Sequence, residues 1–324
     1  MNHLQILYRG PLASCNYACG YCPFAKHTET PEEHRADADA LTRFTDWVGA
    51  QPFGVSVFFT PWGEALVRGR YQAALIRLSA MPHVRQLAIQ TNLSGKLSWL
   101  EHAERHKIAL WATYHPNETE QRKFLKQCAE LDGYGVRHSV GVVGKKSHLD
   151  AIETLREALP DHTYLWVNAF KVGDGYYSAE DLERISRVDP LFEVNTRRYR
   201  TRGRACGAGE SVISVDGEGA ARRCHFIQSP LGNIYERDVR ELLAPRLCSR
   251  ASCECHIGYV HLPELQTADV YRDGLLARIP DAALWGDPQA LEAYLDRARA
   301  LPVVGRAGGR RTGAATLHNP TLQP

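Results

Sequence analysis

The sequence predicts an α/β protein whose larger part is a partial (β/α)6 TIM-like barrel and whose smaller, C-terminal part is a β-hairpin/helix domain. Two observations support this fold class. Short apolar runs rich in β-branched and aromatic residues alternate with helical patterns as far as Pro190. Beyond that residue the regular alternation of strand and helix patterns ceases, and an Asp-Gly turn between two β-like runs indicates a hairpin. Six successive strand–helix units imply a parallel sheet with right-handed crossovers, whereas eight would close a full barrel.

Six short runs have the length and composition of buried strands, and a helical pattern follows each of them. The predicted strands are 4–8, 55–60, 84–91, 108–114, 136–143 and 164–170. The predicted helices are 37–48, 67–78, 97–105, 118–131, 149–159 and 179–188. Because active sites of parallel α/β folds lie at the C-terminal ends of the strands, the loops that follow these strands hold the functional candidates.

The chain divides into predicted segments of different character. Residues 1–195 form the barrel, 196–265 form the small second domain, and 266–304 form a helical segment with its main helix at 288–301. Residues 305–324, rich in Gly, Arg, Thr and Pro, are predicted to be a disordered tail.

The composition limits the classes of function. The chain has 324 residues, of which 44% are apolar, and its formal net charge is +2. This near balance gives no general attraction to nucleic acid or to anionic membranes. No basic region precedes a long apolar stretch at the N-terminus, and no window approaches the length of a membrane span. We therefore expect a cytoplasmic protein with no membrane partner, and nucleic acid is not the expected partner.

Nine cysteines are distributed unevenly along the chain. Three of them, Cys15, Cys19 and Cys22, lie in a loop after the first predicted strand, and five more lie in the stretch 206–255. In a reducing compartment such clusters favour metal ligation over disulfide formation. The remaining Cys128 lies in a helical pattern beside apolar residues, so we expect it to be a buried core thiol.

Three thiolates on one short loop can bind a single inorganic centre, but they leave one ligand position of a cubane cluster or of tetrahedral zinc open. Two simpler interpretations exist. A zinc knuckle would recruit a fourth ligand such as His27. A redox dithiol would use Cys19 and Cys22 and would leave Cys15 without a role.

The cysteines of this loop are separated by three and then by two residues, and Tyr21 directly precedes the third. This pattern resembles the signature of the radical S-adenosylmethionine (SAM) enzymes. The resemblance implies that Cys15, Cys19 and Cys22 bind three irons of a 4Fe-4S cluster, that SAM chelates the fourth iron, and that Tyr21 lies against the adenine. An external donor such as flavodoxin or ferredoxin would supply the electron that cleaves SAM. The resulting 5′-deoxyadenosyl radical would abstract hydrogen from the substrate.

The ends of later strands resemble the SAM-binding segments of the same family. The stretch 60–65 is similar to its Gly-Gly-Glu segment, whose backbone receives the SAM amino group, so Gly63 and Glu64 carry over as candidates. Trp62 stands where the family has the first glycine, which removes some backbone freedom at that position. The other candidates that match at successive strand ends are Asn92, Thr113 and Val143.

The residues that face the substrate are less evident. Tyr114, His115, Asn168 and Lys171 follow late strands and could line the mouth of the barrel opposite SAM. A run of arginines in 197–204 is a solvated surface, a counter-charge to an anionic cluster, or a clamp for an acidic substrate. The sequence identifies no catalytic acid or base, and it leaves both small molecules and peptides open as substrates.

The second group of cysteines resembles the auxiliary iron-sulfur domain of many radical SAM enzymes, called SPASM when it holds two clusters and Twitch when it holds one. Five cysteines are too few for two fully ligated cubanes, so the resemblance implies one auxiliary 4Fe-4S cluster in a Twitch-like domain. The expected ligands are Cys206, Cys224, Cys253 and Cys255, with Cys248 as an alternative to Cys253. A structural zinc site remains the main alternative for this region. For the whole chain, the alternatives are a non-catalytic zinc or iron-sulfur scaffold and a nucleic-acid-modifying radical SAM enzyme.

Overall fold

The computed structural model describes residues 2–24, 27–173 and 175–304. The predicted disordered tail, residues 305–324, lies outside the described residues. No helix within the described ranges is long and apolar enough to cross a membrane.

A central sheet of the described residues has the strand order β11-β10-β9-β1-β2-β3-β4-β5-β6. Its strands are β1 (His3–Arg9), β2 (Gly54–Phe59), β3 (Val84–Thr91), β4 (Ile108–Tyr114), β5 (Arg137–Gly144), β6 (Leu165–Ala169), β9 (Val212–Asp216), β10 (Ala220–Arg222) and β11 (Pro230–Asn233). Four two-residue strands, β7 (Tyr199–Arg200), β8 (Ala205–Cys206), β12 (Arg246–Leu247) and β13 (Ser252–Cys253), pair outside it. Strands β1 to β6 are parallel to their neighbours, which confirms the predicted open sheet of six parallel strands.

The α-helices cover the outer face of this sheet and build the C-terminal segment. They are α1 (Pro31–Gly49), α2 (Gly69–Ser79), α3 (Gln121–Tyr134), α4 (Leu149–Ala158), α5 (Ala179–Val188), α6 (Phe192–Thr196), α7 (Val239–Leu242), α8 (His256–Tyr259), α9 (Ala268–Tyr271), α10 (Ala282–Trp285) and α11 (Pro288–Ala300). Short 3-10 turns lie at Ser98–His102, Arg105–Lys107, Lys146–His148, Pro263–Leu265 and Arg272–Ala277.

Two helical expectations were wrong in detail. The segment 97–105 forms 3-10 turns instead of an α-helix, and it buries Trp99 and Leu100 against the core. Short 3-10 pieces are common connectors where a chain is too short for stable α-helical turns. Helix α6 follows Pro190, where the sequence pattern suggested that helices had ended.

Strand residues alternate between two apolar layers. Leu4 and Ile6 face the layer that packs against the helices, whereas Leu7, Trp111 and Trp166 face the interior and pack against C-terminal segments. This alternation follows from the two-residue period of a strand. Segments of the chain after residue 190 therefore fill the inner face of the open sheet.

The interior is tightly filled around Trp166. A Cβ atom at Gly141 would lie 2.0 Å from the Trp166 ring, so a residue without a side chain is needed there. The Trp166 Nε1 donates to Ser139 Oγ at 3.1 Å, and Ser139 Oγ donates to the carbonyl of Ala277 at 2.6 Å. The guanidinium of Arg278 lies 4.5 Å from the Trp166 ring centroid. The turn Arg272–Ala277 thereby closes one end of the interior.

The predicted hairpin is part of the barrel sheet. Strand β9 pairs in parallel with β1, with Gln5 opposite Val212, and β10 returns antiparallel to β9. His225 joins the hairpin to β2, since its ring nitrogens lie 2.7 Å from Thr60 Oγ1 and 2.5 Å from Ser214 Oγ. The two predicted domains therefore share one sheet, and the boundary between residues 195 and 196 stays a prediction.

Candidate metal and cofactor site

Cys15, Cys19 and Cys22 lie in the loop between β1 and α1, at the C-terminal edge of the parallel strands. Cys19 is buried, and the other two are half-buried. Burial raises the pKa of Cys19 to about 11, and the charges of Cys22 and Cys15 act in the same direction. Burial also raises the pKa of Cys15, with a contribution from Cys22. The charge of Cys22 therefore disfavours the ionised forms of both Cys15 and Cys19.

Nitrogen donors point at the sulfur of Cys15. The backbone N–H of Tyr17 lies 3.4 Å from Cys15 Sγ, and the Asn92 side-chain amide lies 3.8 Å from it. The Asn92 amide also donates to Asn16 Oδ1 at 3.0 Å, which fixes its orientation. Donors of this kind favour a thiolate and tune an iron-sulfur centre bound to it.

Gly63 makes the closest approach between the loop after β2 and the cysteine loop. A Cβ atom at Gly63 would lie 1.7 Å from the carbonyl oxygen of Ser14, so only glycine fits. The next residue, Glu64, donates its backbone N–H to the same Ser14 oxygen at 3.1 Å. This contact holds Ser14, and hence Cys15, against the end of the second strand.

The Glu64 carboxylate is buried and engaged inside the protein. It accepts hydrogen bonds from the Asn92 backbone N–H at 2.5 Å, the Thr91 hydroxyl at 2.8 Å and the Leu66 backbone N–H at 3.0 Å. Burial raises the pKa of Glu64 to about 7, and these hydrogen bonds act in the opposite direction. The side chain joins the ends of β2 and β3, so this stretch offers a cofactor its backbone and not the Glu64 carboxylate.

The sequence reasoning missed a buried support beneath the cysteine loop. Glu29 accepts hydrogen bonds from the Ala13 backbone N–H at 2.7 Å and from the Ser14 hydroxyl at 2.6 Å. Arg68 donates to the Ser14 hydroxyl at 2.8 Å. No sequence pattern marks Glu29 as buried, because its partners become neighbours only in the folded chain.

Tyr21 lies beside His115 at the end of β4. Its hydroxyl is 2.7 Å from His115 Nδ1, and Cys19 Sγ is 3.4 Å from the same nitrogen. Burial lowers the pKa of His115 to about 4, against the opposing charge of Glu118, so the ring is neutral at physiological pH. On its other side, the Tyr21 ring lies 5.5 Å from Lys145 Nζ, close to the end of β5.

This geometry corrects two expectations about the mouth of the barrel. His115 lies on the same side as the cysteine loop, and not opposite it. Tyr114 faces the helical layer, where its ring centroid lies 5.2 Å from that of Phe124, because consecutive strand residues point to opposite faces.

The inward-facing residues at the ends of the later strands keep accessible surface. Thr113 and Val143 are half-buried and Asn168 is exposed, whereas Trp111 and Trp166, one layer deeper, are buried. The inward-facing residues above the tryptophan layer therefore remain accessible to solvent. Thr113 and Val143 are placed where a bound cofactor could reach them, and their predicted roles stay predictions.

Strand pairing assembles the second group of cysteines. Cys206 lies on β8, which pairs with β12, and the N–H of Cys248 donates to the carbonyl of Arg204 at 2.8 Å. Burial raises the pKa of Cys206, with an added contribution from Cys248, and raises that of Cys224 to about 11, with contributions from both. Burial also raises the pKa of Cys253, and the other cysteines of this group add to that shift.

Cys255 has different neighbours. Cys255 is an exposed residue, and desolvation of its thiol raises its pKa. The charges that act against this shift are those of Lys171, Arg9 and Arg278. The charge of Cys248 acts on Cys206, Cys224 and Cys253, whereas that of Cys255 acts on Cys253 and on the cations Lys171 and Arg9. Cys128, apart from both groups, is a buried core thiol as expected.

Within the described ranges, no three His, Cys, Asp or Glu side chains are arranged to hold a single metal ion. Neither a protein-family model nor a curated protein sequence matches this chain.

Solved structures do match. A structure of native anSMEcpe with bound AdoMet aligns over 91% of this chain and 97% of its own, with 14% sequence identity and a TM-score of 0.50. The chain shares the fold of anSMEcpe. A second anSMEcpe structure, with bound AdoMet and the Kp18Cys peptide, aligns over 74% of this chain and 80% of its own, with 14% identity and a TM-score of 0.52. BtrN in complex with AdoMet and 2-DOIA aligns over 74% of this chain and 81% of its own, with 16% identity and a TM-score of 0.40.

Proposed function

We propose that this protein is a radical SAM enzyme that binds a 4Fe-4S cluster through Cys15, Cys19 and Cys22. The observation that carries the proposal is the placement of three cysteines, with Tyr21 among them, on one short loop after β1 at the C-terminal edge of an open parallel sheet. A fold shared with anSMEcpe, whose structure contains AdoMet, supports it.

The residues around the loop fit this assignment. The Tyr17 backbone N–H and the Asn92 side-chain amide donate hydrogen bonds to the Cys15 sulfur. The close contact of Gly63 with Ser14 holds the loop in place. The SAM amino group would meet the backbone around Gly63. The adenine would lie between Tyr21 of the cysteine loop and the end of β5. Thr113 and Val143 would line the same space.

A 4Fe-4S cluster supplies, when bound, the electron for reductive cleavage of SAM and so gives access to hydrogen abstraction from an unactivated C–H bond. The protein's part is to orient SAM against the substrate and to exclude water. The buried layer of Trp111 and Trp166 closes the interior below the site, so access is confined to the C-terminal edge of the sheet.

For the second group of cysteines we propose an auxiliary 4Fe-4S cluster bound by Cys206, Cys224, Cys248 and Cys253. Cys248 replaces the expected Cys255 in this proposal, because Cys248 interacts with all three other cysteines, whereas Cys255 interacts with Cys253 and with the cations Lys171 and Arg9. The Twitch-like domain would then include the strand pairs β7–β13 and β8–β12, which lie in and next to the arginine run 197–204.

The substrate is a small molecule or a peptide, and the electron donor is an external protein such as flavodoxin or ferredoxin. The anSMEcpe structure with the Kp18Cys peptide shows a protein of this fold in complex with a peptide. We also propose that the protein is cytoplasmic.

Anaerobic reconstitution tests the function. The parent protein should bind about eight irons per chain and should convert SAM to 5′-deoxyadenosine under reducing conditions. Cys19→Ala should abolish 5′-deoxyadenosine formation and leave the auxiliary irons in place. Cys128→Ala is the matched control, because Cys128 is a buried core thiol outside both groups, and it should keep both readouts. A parent protein that retains zinc and no iron, and yields no 5′-deoxyadenosine, would instead be a scaffold.

A further inference from the structure

Arg223 is a buried residue within the second cysteine region, and its guanidinium donates only to backbone carbonyls among its described hydrogen bonds. The Nε donates to the carbonyl of Ala208 at 3.0 Å, and one terminal nitrogen donates to the carbonyl of Arg246 at 2.6 Å. The other terminal nitrogen donates to the carbonyl of Leu247. Three donors of one rigid, planar group are therefore fixed by backbone oxygens.

These contacts connect three segments that carry cysteines. Arg223 directly precedes Cys224 in the chain. One of its acceptors lies two residues after Cys206, and another lies directly before Cys248. A single guanidinium thus ties the backbone beside these cysteines into one unit, although the segments are separated by about twenty residues each along the chain.

Arg250 connects the fourth cysteine segment to this unit. Its Nη1 donates to the carbonyl of Phe226 at 2.7 Å, and its Nε donates to the carbonyl of Ser252 at 3.4 Å. Phe226 is two residues after Cys224, and Ser252 directly precedes Cys253. The two arginines together therefore contact the backbone of all four cysteine segments.

Both guanidinium groups also bring positive charge to the cysteines, because the carbonyls that they contact carry no net charge. Burial raises the pKa of Cys206, and the charge of Arg223 opposes that shift. Burial raises the pKa of Cys224 to about 11, and the charge of Arg250 opposes that shift. Thiolate ligands carry negative charge, so nearby cations stabilise a metal centre that they bind.

We propose that Arg223 and Arg250 are positioning residues of the second cysteine site. Their hydrogen bonds hold the four cysteine segments together, and their charges stabilise the metal–thiolate centre that these segments bind. This inference rests on the proposed auxiliary cluster, and it adds to the four ligands the two side chains that assemble them. Residues that support metal ligands in this way contribute strongly to metal affinity.

The experiment follows this site alone, in the reconstituted Cys19→Ala protein, which the proposed function expects to retain the auxiliary irons. Two quantities are measured after each further substitution. One is the rate at which a chelator removes iron. The other is the reduction potential of the retained cluster, from a redox titration followed by electron paramagnetic resonance.

Arg223→Gln and Arg250→Gln should each release iron about ten- to hundredfold faster, the range expected when a residue that supports metal ligands is lost. Both should also lower the reduction potential, because reduction adds negative charge that the missing cation no longer offsets. Arg223→Lys keeps the charge but cannot contact three carbonyls at once. It should therefore release iron as fast as Arg223→Gln and keep the potential of the Cys19→Ala protein.

Arg156→Gln is the matched control. Arg156 also donates to three backbone carbonyls, those of Leu159, Pro160 and Thr163, but it lies in helix α4, which carries no cysteine. The control should lower stability and leave both the iron release rate and the potential unchanged.

An unchanged release rate and potential in both glutamine variants would overturn the inference, and so would an equal effect of Arg156→Gln. If Arg223→Gln does not fold, Arg250→Gln and Arg250→Lys give the same test at a half-buried residue. Zinc in place of iron in the Cys19→Ala protein would contradict the auxiliary cluster alone, and the rate of zinc release would then test the two arginines. A Cys19→Ala protein that binds no metal would overturn both proposals.

Discussion

The contact of Gly63 with the cysteine loop gives the sharpest test of the site. In Gly63→Ala the new Cβ atom would start 1.7 Å from the Ser14 oxygen and 2.5 Å from its carbonyl carbon. Both clashing atoms belong to the backbone, so the two loops must separate by more than about 1 Å, and the hydrogen bond from Glu64 N–H to Ser14 is lost. Overpacking and the lost hydrogen bond together should lower the free energy of unfolding by about 2–4 kcal/mol.

The larger effect should be on chemistry, because Ser14 directly precedes Cys15. A displacement of about 1 Å in a positioning element can reduce a rate roughly a hundredfold, so 5′-deoxyadenosine formation should fall by about that factor. Iron content, 5′-deoxyadenosine rate and denaturant unfolding are measured side by side. Gly133→Ala is the control: a Cβ atom there meets nothing within 4 Å, and alanine should stabilise helix α3 by up to about 1 kcal/mol. Parental iron content and rate in Gly63→Ala would refute this account of the loop.

Three further predictions concern single residues. Cys248→Ala should reduce the iron content from about eight to about four per chain while Cys255→Ala keeps about eight; the reverse pattern in iron analysis would make Cys255 the ligand. Tyr21→Ala should weaken SAM binding by roughly tenfold through lost stacking and keep the iron, whereas Tyr21→Phe should bind SAM nearly as the parent does; equal losses in both variants would contradict a stacking role. Burial raises the pKa of Glu64 from 4.5 to about 7, so the stability that its protonated form contributes is complete below pH 4.5 and is lost as the pH rises through 7. Glu64→Gln should remove that dependence in unfolding measured across this range, and an unchanged profile would show that Glu64 does not titrate there.

Much of the fold could be predicted, because strand and helix periodicity is local. The predicted strands 84–91 and 108–114 match β3 and β4, and the others agree within two residues at each end. The helical prediction at 97–105 was wrong because apolar spacing alone does not distinguish an α-helix from successive 3-10 turns.

The candidate site was only partly visible in the sequence. The spacing of Cys15, Cys19 and Cys22 marks the loop by itself, since ligands on one short loop are neighbours whatever the fold. The sequence left open the choice between Cys248 and Cys253, and the proposal that Cys248 stands in place of Cys255 depends on the pairing of β8 with β12. That pairing joins residues about forty positions apart, and no local pattern encodes it.

The sequence by itself determined the order of the strands and helices and the cysteine loop after β1, because periodicity and short spacings are properties of neighbouring residues. Tertiary structure alone decided that the hairpin extends the sheet beside β1 and that Glu29 supports Ser14. Each of these contacts joins segments far apart in the chain, and it exists only because the folded sheet brings strand ends to a common edge.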